Sequence, residues 1–293
     1  MTHCKLILAY DGTAFHGWQV QPGLPTVQGM LADAIHRTVG ERVLPQGSGR
    51  TDAGVHALGQ VASLTLAAAI PAANLLRALN RCLPSSIRVL RAEVVPPTFH
   101  ARHTAIRKTY EYRIFPLRPV IPYALVPHSS QSHRDGSDDG DTPSAADRIC
   151  PPILAPYVWP CPWPLDLDAL NEAARHVVGA HDFTTFAAAD PDLATRSAST
   201  ASFPDILADR NPIRTITHSC WHASGDLLIY RVTANGFLHH MVRNLVGTFV
   251  QVGAHRLSPG NISALLAARN RRAAGPTAPA GGLFLVNVEY PES

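Results

Sequence analysis

The chain has 293 residues, 46 % of them apolar and 16 % charged. That is enough apolar material for a large core, it excludes a wholly disordered chain, and the length suits one large domain or two. Twenty-five basic residues against 22 acidic ones give +3, an excess that permits an acidic partner without demanding one.

The basic residues are arginine except for Lys5 and Lys108. Arginine suits bidentate phosphate contacts and base stacking, and a GC-rich genome produces the same bias. Five widely spaced cysteines with no CxxC argue against a disulfide framework or a structural zinc site, and fit a reducing, cytoplasmic setting. The opening apolar run ends at Asp11 and is too short for a signal segment. The uncharged runs Ala53 to Leu76 and Ile149 to Leu165 are broken by Gly, His, Asn or Pro and do not read as membrane helices.

In chain order, alternation from Cys4 to Tyr10 predicts a strand, and Asp11-Gly12 a turn. Thr26 is placed as the N-cap of a helix running to Val39 and ended by Gly40. A glycine-rich loop from Gln46 to Gly54 leads to a strand near Gln60 to Leu66. Pro71 opens a second helix through Leu83, and strands follow near Ile87 to Val94 and Arg107 to Phe115. From about Pro116 to Pro164 the periodicity fails. Residues 131–150 hold five aspartates and two arginines and read as a disordered insertion or linker, so without them the chain carries +6. Asp166 caps a helix that Gly179 closes. Strands near Ile213 to His222 and Leu227 to Thr233, helices near Phe237 to Val252 and Asn261 to Ala268, and a strand from Leu283 to Tyr290 complete the chain. The stretch 197–211 reads as a loop. Hairpin-like spacing predicts an α+β fold with a mainly antiparallel sheet, divided as 1–116, a 117–164 insertion, and 165–293.

Gly47 to His56, GSGRTDAGVH, carries the most chemistry. Glycines allow tight turns and close approach of a ligand. In an extended segment Arg50 and Asp52 point to one side, where the arginine favours an ionised carboxylate, a possible nucleophile. By spacing alone, a loop with an ordinary Arg–Asp ion pair accounts for it as well. The glycines match neither a P-loop nor a GxGxxG register. Gly54 between Asp52 and His56 argues against a helical metal pair. Adjacent His239 and His240 cannot share one helix face, whereas His239 and Arg243 can.

The segment Gly49 to Ala62, GRTDAGVHALGQVA, resembles the signature of the tRNA pseudouridine synthase A family. Five further stretches agree in order: YDGTAFHGWQVQP with TVQG (Tyr10 to Gly29), FHARHTAIRKTYEY (Phe99 to Tyr112), GAHDFTTF (Gly179 to Phe186), NGFLHHMVRNLVG (Asn235 to Gly247) and AGPTAPAGGLFLV (Ala274 to Val286). The likeness spans nearly the whole chain apart from about 117–150, an acidic insertion unusual for the family. It implies the pseudouridine synthase fold, two similar halves sharing one extended sheet flanked by helices. It implies isomerisation of uridine at tRNA positions 38, 39 or 40, by an aspartate nucleophile acting on a flipped base. No cofactor and no metal are expected. Attack on the base and attack on the sugar both stay open.

By the same resemblance Asp52 is the nucleophile, Arg50 pairs with it, Tyr110 contacts the base, and Leu283 lines the uracil pocket. A homodimer holding tRNA is implied too. Arg102, Arg107, Lys108, Arg214 and Arg243 lie in or beside the matched stretches and are candidates for phosphate contact. Arg269, Arg271 and Arg272 read as a solvent-facing basic run, and His181 and Asp182 as structural polar groups. The alternatives are a catalytically silent RNA-binding protein on the same fold, against which the retained Asp52 argues, and a hydrolase pairing Asp52 with His56.

Overall fold

A computed structural model describes residues 1–120, 148–188 and 211–291 of the chain. Most of the 131–150 acidic stretch and of the 197–211 loop therefore lies outside the described residues.

The chain begins with β1 (Thr2–Tyr10), whose alternate residues Cys4, Leu6, Leu8 and Tyr10 are buried, as a period of two requires. Helix α1 (Val27–Val39) starts where the Thr26 hydroxyl accepts the Gly29 N–H at 3.3 Å, and ends at Gly40 in the left-handed region at φ +77°. After β2 (Gln46–Gly47) and β3 (His56–Leu66) come α2 (Ala72–Cys82), β4 (Ile87–Val94) and β5 (Arg107–Pro116). The later part holds β6 (Trp159–Cys161), α3 (Leu167–Arg175), β7 (Gly179–Asp182), β8 (Ile213–Ser224), β9 (Leu227–Ala234), α4 (Met241–Gly253), α5 (Asn261–Ala268) and β10 (Leu283–Glu289).

One ten-stranded sheet runs β4-β1-β3-β10-β5-β9-β8-β7, with β2 beside β3 and β6 beside β5. Its pairings are antiparallel except β10 with β3 and β5 with β6. The last strand sits in the middle: Phe284 lies opposite His56 on β3, and Leu283 opposite Tyr112 on β5. β10 thus stitches the early strands to the late ones, and burial of Leu283, Phe284 and Leu285 ties it to the core. Helices α1 and α2 pack together, α2 lies on β4, and α3 packs on α4 and β8.

Four expectations need correction. β3 begins at His56 rather than near Gln60, which takes His56 out of the loop. Helix α3 stops at Arg175, because Gly179, at φ +110°, opens β7 instead of closing the helix. Helix α4 starts at Met241, because His240 adopts φ +58° and breaks the helical path before it. The segment where periodicity failed still supplies β6, a three-residue strand containing Pro160 and too short to show a period. Cys161 there is fully buried, its carbonyl accepts the Leu117 N–H at 2.9 Å, and the Tyr157 hydroxyl donates to Asp11 at 2.9 Å.

Packing around α4 leaves no room for side chains at one position. A Cβ on Gly247 would stand 1.7 Å from the Pro276 carbonyl oxygen. Backbone cannot yield as a side chain can, so Gly247→Ala is expected to cost about 1–3 kcal/mol or more by overpacking. Urea midpoints of the variant and the parent chain check this, and unchanged midpoints would mean that the 275–278 loop is loose.

Candidate active site

The loop between β2 and β3 is held from below by the first sequence motif. The Trp18 N–H donates to the Thr51 carbonyl at 3.0 Å, and the Gly54 N–H to the Phe15 carbonyl at 3.2 Å. A Cβ on Gly12 would meet the Val55 carbonyl at 2.0 Å, and one on Gly17 the Thr51 carbonyl at 2.5 Å, so only glycine admits the loop this closely. From the sheet, the buried Gln60 donates to the Gly49 carbonyl and accepts from the Ser48 hydroxyl, and the Tyr10 and Thr51 hydroxyls share a 2.9 Å hydrogen bond. These contacts turn a glycine-rich stretch into a fixed platform.

Asp52 stands on that platform with its side chain about one-fifth exposed. Arg243 of α4 donates from Nη1 to Asp52 Oδ2 at 3.1 Å, and from Nε to the Ala278 carbonyl at 2.8 Å. The guanidinium is therefore held through two nitrogens, Nε by the Ala278 carbonyl and Nη1 by the carboxylate. His239 Nε2 lies 3.5 Å from Asp52 Oδ1 and His240 Nε2 3.3 Å from Oδ2, with the two rings 4.0 Å apart. The arginine on Asp52 is thus Arg243, where the sequence pointed to Arg50. Residues 50–52 belong to no strand and a turn at Ala53 and Gly54 follows them, so the alternation argument for residues 50 and 52 has no strand to rest on. The His239–His240 expectation is corrected too. Both precede the helix, and the left-handed conformation of His240 lets adjacent imidazoles converge.

Asp52 opens into a cleft of about 770 Å³, a volume usual for small-molecule sites. Tyr110, on β5, and Leu283, at the start of β10, line it and are otherwise buried. Phe237 meets the Tyr110 ring edge-on at 5.0 Å. Burial first, then Tyr10 and Asp52, push the Tyr110 phenol well above its ordinary value, so it stays neutral. Tyr112 is structural: it is fully buried and donates to the Pro279 carbonyl at 2.7 Å.

Arg50, Arg102, Lys108 and Arg214 also line the cleft, with Asp52 the acidic residue among the lining side chains described. Lys108 donates to the Ser48 carbonyl at 2.6 Å, and Arg214 to the Asn211 carbonyl at 2.6 Å. Such a rim focuses a field that draws anions inward. Arg107 is not in the cleft wall; its Nε pairs with Glu289 at 2.8 Å. Arg271 departs from the expected solvent-facing run. It clamps the 275–277 loop to α4 through the Gly275 carbonyl, Asn244 and Thr277. Arg269 pairs with Asp182, which caps Thr184, so His181 and Asp182 belong to the structural scaffold.

His56 is no partner for Asp52. Its Nδ1 accepts the Gly12 N–H at 3.0 Å, which leaves the proton on Nε2, 3.2 Å from the Pro156 carbonyl. The ring stacks on Phe284 at 4.7 Å. Both nitrogens are engaged in the scaffold, which removes the nucleophile–base pairing that a hydrolase would use.

A ten-stranded, mainly antiparallel sheet with a carboxylate at its seam, under a basic rim, makes this an α+β protein with an anion-attracting cleft. The chain belongs to the tRNA pseudouridine synthase family, a family of isomerases, whose model matches residues 6–103 and 173–291. A tRNA pseudouridine synthase A of Solibacter usitatus is 43 % identical over 99 % of this chain and 100 % of its own length. One of Moorella thermoacetica is 41 % identical over 98 % of each chain, and one of Rhodopseudomonas palustris 41 % over 99 % and 100 %. Among the described residues no helix is long and apolar enough to cross a membrane.

Burial holds His56 below the ordinary histidine value, against the pull of Asp11, and burial likewise lowers His240. Below about pH 6.5 the unfolded chain takes up protons that these folded groups refuse. Stability is thus expected to be fully present above that pH and to fall as the pH drops below it. The His56→Gln variant should show a shallower fall, read from urea midpoints at about pH 7.5 and about pH 5.5. An unchanged slope would take His56 out of the account.

Proposed function

We propose that this protein converts uridine to pseudouridine at positions 38, 39 or 40 in the anticodon arm of tRNA, with Asp52 as the nucleophile and no cofactor. The observation that carries the reading is Asp52 itself, held by Arg243 at the floor of a basic-rimmed cleft whose wall includes Tyr110 and Leu283.

The chemistry follows from what a stem base requires. A paired uridine cannot reach a carboxylate until it turns out of the stack, at roughly a few kcal/mol. Contact with the Tyr110 ring returns about 1–3 kcal/mol of this, and Leu283 closes the other side against water. Asp52 then forms a bond to the substrate as the N1–C1′ bond breaks. The freed uracil rotates, a C5–C1′ bond replaces the one lost, and the bond to Asp52 breaks again, which returns the free carboxylate. The proton leaving C5 balances the proton gained at N1, so the product is an isomer and nothing else is consumed. Arg243 keeps the carboxylate oxygens aimed throughout, a positioning effect that is realised in the cleft rather than in water.

The arginines divide by placement. Arg50, Arg102, Lys108 and Arg214 on the rim are the phosphate-contact set, Arg243 serves Asp52, and Arg107, paired with Glu289, joins RNA only by exchanging that partner. We keep the two-part reading of the chain, 1–116 and 165–293 joined by 117–164, and a homodimer acting on tRNA in the cytoplasm.

The test is pseudouridine mapping on an unmodified tRNA with uridines at 38, 39 and 40, in buffer freed of metal and nucleotide. Conversion confined to the anticodon arm is expected. Binding of the tRNA without conversion would replace this reading with a silent RNA-binding protein.

A further inference from the structure

Asp52, His239 and His240 form a group that the isomerisation does not need in full. One ligand atom from each lies within 4.8 Å of the others. The two imidazole nitrogens stand 3.5 and 3.3 Å from the carboxylate oxygens. Around a tetrahedral zinc with bonds of about 2.0–2.1 Å, neighbouring ligand atoms are about 3.3–3.4 Å apart. Each imidazole nitrogen stands about one such edge from a carboxylate oxygen, His239 from Oδ1 and His240 from Oδ2.

The local backbone points the same way. His240 holds φ +58°, a left-handed conformation uncommon outside glycine. A helical residue there would send the second imidazole to a different face from the first. The strained residue instead puts two imidazoles side by side over one carboxylate, and strain of this kind gathers at functional sites. Three protein ligands leave a fourth position open to the cleft, where water can complete the shell.

We propose that Asp52, His239 and His240 form a three-ligand site for a borderline divalent cation, zinc above all, that caps the nucleophile while the cleft holds no RNA. Two nitrogens and one carboxylate oxygen are a zinc donor set rather than a magnesium or calcium one. Arg243 opposes the metal, because its Nη1 already lies 3.1 Å from Asp52 Oδ2. A carboxylate offers about four lone-pair sites, so the arginine and a metal can share it. The competing charge makes the metal exchangeable, in contrast to a closed structural site. A uridine entering the cleft and a metal on Asp52 exclude one another. The cation site stands without the proposed reaction; its inhibitory consequence rests on that reading.

The experiment titrates Zn²⁺ into the full metal-stripped chain, followed by calorimetry, and Co²⁺ into a parallel sample, followed by its visible absorption. Saturation at one ion per chain is expected, with a four-coordinate cobalt spectrum. His239→Gln and His240→Asn are the test variants. Asparagine tolerates the left-handed conformation of residue 240, so loss of binding there reports a lost ligand and not a collapsed turn. Each is expected to weaken binding at least about tenfold, the lower end of what even outer-shell changes bring. Added tRNA should release the metal, and Zn²⁺ should slow conversion until a chelator is added. No saturable binding, or binding indifferent to both variants, would overturn the site. Binding at the site with conversion undiminished would overturn its capping role and leave the isomerase reading standing.

Discussion

The structure turns on a contact between groups 191 positions apart in the chain: the carboxylate of Asp52 and the guanidinium of Arg243, 3.1 Å apart. One is carried by a loop of the early strands and the other by a helix of the late ones. Their meeting requires the sheet to be continuous across its middle. That is the work of β10, which returns at the end of the chain to lie between β3 and β5 and brings Leu283 to the cleft. The site therefore exists only in the assembled fold, and removing either partner would leave a partly buried charge without its counter-ion.

Most of the surrounding polar groups hold that geometry rather than act in it. Trp18, Phe15, Gly12 and Gly17 support the Asp52 loop from one side, and Gln60, Ser48 and Tyr10 from the other. On the opposite wall Asn244, fully buried, donates to the Phe186 carbonyl and accepts from Arg271 and Thr277. This network locks the start of α4 to the 275–278 loop, whose Ala278 carbonyl steadies Arg243. Aspartate and arginine are thus each seated on hydrogen bonds that do not involve substrate, the arrangement by which a cleft is preorganised.

The sequence revealed much of this, and what it hid has physical causes. Alternation located β1, which buries alternate residues, and a cap and stop signal located α1, with Thr26 before it and Gly40 after it. The motifs named Asp52, Tyr110 and Leu283, which the fold does bring to one cleft. The choice of Arg243 over Arg50 was hidden, because side-chain alternation describes a strand while residues 50–52 lie in a loop that turns at Ala53 and Gly54. The meeting of His239 and His240 was hidden behind a positive φ at a residue that is not glycine. Arg271 looked like surface charge because its acceptors, Asn244 and the Gly275 carbonyl, come from elements that only tertiary packing brings near. Strand β6 was invisible, being short and paired to a strand distant in sequence.

The most direct measurement is single-turnover conversion of uridine in unmodified tRNA by the parent chain and by Asp52→Asn, with tRNA affinity determined for both. The amide matches the carboxylate in size but is a poor nucleophile. The account predicts that the variant folds, binds tRNA within about a factor of two, and shows no bond rearrangement, since the amide oxygen can still accept from Arg243 while the nucleophile is gone. Conversion by Asp52→Asn at a rate near that of the parent would contradict it, and would place the nucleophile elsewhere.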